Sequence, residues 1–181
     1  MDSPRLISRC TQGKPLTFRW FGEPTAHVGL DIETVLFKFE KIIRAKGKIA
    51  DEYSLIMACA EIRNRIERAA EGRLRTTHQV KWVDQRNLPP IFELRWQGIS
   101  ISFLSELRKD RHQTLLFRMY CSEPEAFPEH FIGHHLHEKV ISDPERIWIL
   151  QNREIAIARD LCERGVETSW GIPIDRGENL I

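Results

Sequence analysis

Apolar and polar residues alternate along three runs in the middle of the chain. Residues 91–97 (IFELRWQ) set Phe92, Leu94 and Trp96 against Glu93, Arg95 and Gln97. Residues 114–122 (TLLFRMYCS) set Leu115, Phe117, Met119 and Cys121 against Leu116, Arg118 and Tyr120. Residues 130–140 (HFIGHHLHEKV) set Ile132, Leu136 and Val140 against His135, His137 and Lys139. Strand side chains point to opposite faces with period two, so each run predicts a β-strand. Two residues break the alternation: His134 falls on the apolar side and Leu116 on the polar side. If the strands pair, one face is hydrophobic and packed. The other gathers Arg95, Arg118, Tyr120, His135, His137 and Lys139, as on an antiparallel sheet with one open face.

The flanking segments change period. Residues 31–46 place Ile32, Val35, Leu36, Phe39, Ile42 and Ile43 at helical spacing, with Asp31 as cap and Gly47 as stop. Residues 51–71 carry the stripe Leu55, Cys59, Ile62, Ile66 and Ala69, stopped by Gly72. Residues 144–163 read as a third helix, capped by Ser142 or Asp143, with Pro144 in its first turn and Gly165 at its end. The polar run 151–154 marks a break in it, with a second start at Asn152. Residues 15–23 and 78–84 read as further strands, the second at an edge. Residues 98–113 form an extended hairpin with a basic tip of Arg108, Lys109 and Arg111. The order is strand, helix, helix, strands, helix. It predicts an α+β fold with an antiparallel central sheet packed against helices on one face.

Composition adds little to this. The 181 residues predict one domain: a flexible arm over 1–14, a core over 15–164 and a tail over 165–181. Charged residues are 29% and hydrophobic ones 41%, as in ordinary globular chains. Residues 1–90 carry +5 and residues 91–181 carry −4, a mild asymmetry within a net charge of +1. The four cysteines, Cys10, Cys59, Cys121 and Cys162, lack metal-ligand spacing. They predict free thiols and a cytoplasmic protein. No run resembles a signal peptide or a membrane span. Phosphate-cradling glycine loops, Gly-x-Ser-x-Gly and HExxH are all missing.

The order of elements, together with PPIFELRW, LLFRMY, HHLHEK and NREIAIARDL, resembles the RelE/ParE toxin superfamily. The phage-derived, HigB-like branch is the most similar. The likeness spans roughly residues 89–164. It implies a RelE-like core and a type II toxin–antitoxin endoribonuclease cleaving mRNA without a metal or other cofactor. Its partners would be an antitoxin protein and mRNA, free or on the ribosome. Arg95, Arg118, Tyr120, His137 and Lys139 would be catalytic, and Arg108, Lys109, Arg111 and His135 would bind RNA. Arginine suits bidentate phosphate contact, and histidine transfers protons near neutrality.

Other readings of the same residues stay open. Arg95 and Arg118 can pair with Glu93, Glu138 or Asp110 across a solvated sheet. Tyr120 can be a half-buried sheet residue and His134 a core histidine. His135 and His137 share a face, as two metal ligands would, but no third ligand is placed beside them, so no metal site is predicted. A non-catalytic relative serving as a protein- or RNA-binding module is the alternative function.

Overall fold

A computed structural model describes residues 7–23, 31–84, 89–104, 111–141 and 144–174. Five strands form one sheet: β1 (Thr17–Trp20), β2 (Val80–Asp84), β3 (Ile91–Phe103), β4 (Arg111–Ser122) and β5 (His130–Glu138). Three helices accompany them: α1 (Asp31–Arg44), α2 (Glu52–Ala70) and α3 (Pro144–Glu167). The strand order is β1-β5-β4-β3-β2. The three central runs are therefore adjacent, as their pattern requires.

The sheet is mixed, not antiparallel throughout. β2 through β5 pair antiparallel, but β1 lies parallel to β5, with Thr17 opposite His130. A parallel neighbour needs a long crossover, and here the intervening chain includes α1, α2 and three strands.

The first face carries the main core. Phe92, Leu94, Trp96, Phe117 and Met119 pack against Val35, Leu36, Phe39 and Ile43 of α1 and Leu55, Ile62 and Ile66 of α2. Phe39 meets Phe117 edge-on, with ring centroids 4.9 Å apart. Asp51 caps α2 by accepting from the Ser54 backbone N–H at 2.8 Å. Gly72 ends it at φ +68°, where a Cβ would come within 2.7 Å of the Gly13 nitrogen. Both the backbone angle and the close chain crossing require glycine there.

Helices cover both faces, contrary to the one-sided expectation. On the second face, Ile91, Tyr120 and Ile132 pack against Ala158 and Cys162 of α3 and against Trp170 and Ile172 beyond it. The apolar side of α3 needs a surface to cover it, and the first face is already filled by α1 and α2. The expected break at 151–154 is not there: α3 is continuous and runs past Gly165 to Glu167.

Two bulges shift the alternation, and the first accounts for His134. Between Tyr120 and Cys121 the partner register jumps from His135 to Gly133, so His134 is the extra residue. The alternation therefore reverses across it, and Ile132 joins the second face. A second shift, between Trp96 and Ile99, returns Ile99, Ile101 and Phe103 to the first face. β3 thereby continues to Phe103 as the first arm of the expected 98–113 hairpin.

Part of the expected flexible arm is docked. Cys10 is fully buried, the Ser8 hydroxyl donates to Glu123 Oε1 at 2.6 Å, and Gly13 N donates to Gly72 O at 2.9 Å. The remaining arm residues 1–6, residues 24–30, the expected Ser142 or Asp143 cap and the tail beyond 174 lie outside the described residues. No helix among the described residues is long and apolar enough to cross a membrane.

Candidate functional site

Register places the predicted polar residues in two rows across β3, β4 and β5. One row is Arg95, Arg118 and His137, and the next is Glu93, Tyr120 and His135. Lys139 follows the end of β5, where its backbone N–H donates to Leu116 O at 2.7 Å. α3 lies over these rows. Between sheet and helix is a pocket of about 80 Å³, lined by Glu93, Arg118, Tyr120, His137, Glu138 and Lys139. Its other wall is Val140 with Ile147, Leu150, Gln151 and Glu154 of α3.

Glu93 is the electrostatic centre. It is 2% exposed and takes both arginines. Arg95 Nε donates to its Oε1 at 2.6 Å, and Arg118 Nε lies 3.8 Å from its Oε2. Arg95 also donates to Thr77 O at 3.1 Å, and Arg118 to Phe117 O at 2.7 Å and Trp96 O at 3.2 Å. The ion-pair reading of both arginines is thus the arrangement found, with Glu93 rather than Glu138 as partner. Glu138 instead pairs with Lys46 at 2.7 Å. Arg95 does not line the pocket, whereas Arg118 does.

Three rings stack along the second face. Tyr120 and His137 lie 5.3 Å apart at 18°, and His137 and His135 lie 5.7 Å apart at 8°. His137 Nδ1 sits 3.1 Å from the Glu138 carbonyl. A carbonyl only accepts, which assigns the proton to Nδ1 and leaves a lone pair on Nε2. That Nε2 and the Tyr120 hydroxyl are buried without hydrogen-bond partners among the described residues. Burial pulls the His137 pKa down to about 4, so the ring is neutral at pH 7. Burial, and then the Glu93 charge, push the Tyr120 phenol up, so it stays protonated. Lys139 makes no ion pair among the described residues; its pKa is lowered first by partial burial and then by Arg118.

His135, expected to bind RNA, is engaged elsewhere: its Nε2 donates to Glu154 Oε2 at 2.5 Å. That bond holds the Glu154 carboxyl below its ordinary range and ties α3 to β5. His134 is a core histidine: Nδ1 lies 2.9 Å from Phe21 O and Nε2 lies 2.8 Å from Ser122 Oγ. Arg108, Lys109 and the side chain of Arg111 lie outside the described residues. No group of three or more metal-ligating side chains occurs among the described residues.

The α3 wall was not legible in the sequence. Glu154 and Gln151 sit in the polar run that reads as a helix break. Their signal is positional: they are the inward face of a helix whose neighbours Ile147 and Ala158 are apolar. Compared with protein-family models, curated proteins and solved structures, the chain matches none.

Proposed function

We propose that the pocket between the sheet and α3 is the centre of a toxin-like endoribonuclease that cleaves mRNA without a metal. One observation carries this reading. Among the described residues, Tyr120 Oη and His137 Nε2 are buried polar atoms with no partner, on residues that share one pocket with a lysine lacking a counter-ion. Leaving such atoms unsatisfied costs about 1–3 kcal/mol each, which a ligand's hydrogen bonds would recover.

The chemistry follows from the protonation states. Neutral His137 accepts the proton of a ribose 2′-hydroxyl at Nε2. The 2′-oxygen attacks the adjacent phosphorus, and the bond from phosphorus to the 5′-oxygen breaks. Tyr120 gives its proton to that leaving oxygen, and a 2′,3′-cyclic phosphate remains. A proton passing from His137 to Tyr120 through solvent restores the site. Lys139 and the outer edge of Arg118 stabilise the charge that develops on the phosphoryl oxygens. The resemblance to RelE/ParE toxins supports a partner antitoxin, cytoplasmic action and mRNA held on the ribosome as substrate.

A second reading has its own observation. Glu93 engages Arg95 and Arg118 in ion pairs, and α3 covers part of the face. That favours a non-catalytic protein- or RNA-binding module.

One experiment separates them. Purified protein is incubated with RNA, with and without translating ribosomes, chelator present and antitoxin absent. Cleavage should leave 5′-hydroxyl and cyclic phosphate ends. His137→Gln and Tyr120→Phe should each lower cleavage by about 10²–10⁴-fold while RNA binding persists. RNA bound but uncleaved, with ribosomes supplied, selects the binding module. Loss of cleavage in chelator removes the metal-free mechanism.

A further inference from the structure

The pocket has two chemically different walls. The sheet side is charged and polar. The helix side is Val140, Ile147 and Leu150 with Glu154, which is bonded to His135, and Gln151 as its one uncharged polar side chain. Gln151 makes no side-chain hydrogen bond among the described residues, so its amide offers a free donor and a free acceptor. The enclosed space, about 80 Å³, is roughly half of the 150 Å³ cavity that admits a benzene. One small group enters; the rest of a ligand must lie along the rim.

That rim is apolar and exposed. Val140 and Leu150 are partly in solvent, and Trp148 is 72% exposed. Residues three apart on a helix are neighbours, so Trp148 sits beside Gln151. Lys139, at the start of this strip, makes no ion pair among the described residues. An exposed aromatic platform beside an unpaired lysine suits single-stranded nucleic acid, where bases stack and phosphates meet charge.

The geometry points to the first half of α3 as a nucleobase-binding wall: Gln151 reads the edge of the base beside the phosphate in the pocket, and Trp148 stacks the next base along. This rests on the RNA-cleavage reading and names its substrate more closely, as single-stranded RNA with a base preference set by a helix rather than by the sheet. Gln151 is a specificity residue and Trp148 a positioning one; neither takes part in the proton transfers.

The test is calorimetric binding of inorganic phosphate, the four nucleoside 3′-monophosphates and a single-stranded hexanucleotide to the full chain. At least one nucleotide should bind about ten-fold tighter than phosphate, with a spread among the four bases. Gln151→Ala should collapse that spread and leave phosphate affinity unchanged. Trp148→Ala should weaken the hexanucleotide about ten-fold without touching phosphate, and Trp148→Phe should recover most of the loss. Equal affinity for phosphate and all four nucleotides overturns the base wall but keeps the phosphate pocket, as does a preference that survives Gln151→Ala. Unchanged hexanucleotide affinity in Trp148→Ala overturns the stacking role and leaves the strip to a protein partner. Absence of phosphate binding together with absence of cleavage ends the cleavage reading and this inference with it.

Discussion

Glu93 sits almost out of solvent between two guanidiniums, and Arg118 beside it is only 6% exposed. Removing one partner of such a pair leaves a buried charge uncompensated, which costs about 3–5 kcal/mol. Glu93→Ala should therefore lower unfolding stability by that order in urea titrations; a loss below 1 kcal/mol would mean water reaches Arg118. His134 makes a second prediction. Burial holds its pKa near 4 against an ordinary 6.5, so the folded state resists a proton that the unfolded chain accepts. Stability from this group is complete above about 6.5 and is lost as pH falls toward 4. His137 acts in the same direction. Thermal melts should show the midpoint dropping through that window, and His134→Asn should flatten the drop. The residue types that meet at the site were readable from alternation alone. Their partners were not, because Glu154 and Gln151 reach the pocket through tertiary packing of a distant helix.

At the scale of elements, the five strands and three α-helices described fall on segments that the sequence reading marks, because each buries at least one face. Its errors have two sources. Bulges reset the alternation, so His134 falls on the wrong face of the β5 run. Face assignment failed for α3 because an apolar helix stripe does not say which side of a sheet it covers. Phe117, paired edge-on with Phe39 at the centre of the first face, tests that core. Phe117→Ala should cost about 3–5 kcal/mol, read as a lower urea midpoint with an unchanged slope. Cys10, Cys121 and Cys162 are buried, and Cys59 is only partly covered. Burial, then the Glu40 charge, raise the Cys59 thiol to about 11. Thiol labelling of the native chain should begin at Cys59 and be slow there.

For the whole molecule, helices pack on both faces of the sheet, and on the proposed reading RNA approaches along the rim of α3. Electrostatic binding there should weaken with salt, and Lys139→Ala should reduce the slope of log affinity against log salt by about 0.7 for a single strand. An unchanged slope would take Lys139 off the phosphate path.

The parallel pairing of β1 with β5 joins Thr17 to His130, and the Ser8–Glu123 bond closes the same long loop. A ribosome has released the first strand long before it synthesises the strand that strand must join. β3 and β4 are close in sequence and can pair early; β1 can only dock last, since contacts distant in sequence carry the larger closure cost. The last strand to arrive is also the easiest to detach. When it leaves, the edge of β5 opens, and an open edge is a template for another chain. Damage to the four residues of β1 should therefore show first as self-association rather than as loss of helix. Hydrogen exchange should find β1 opening well before β3 and β4.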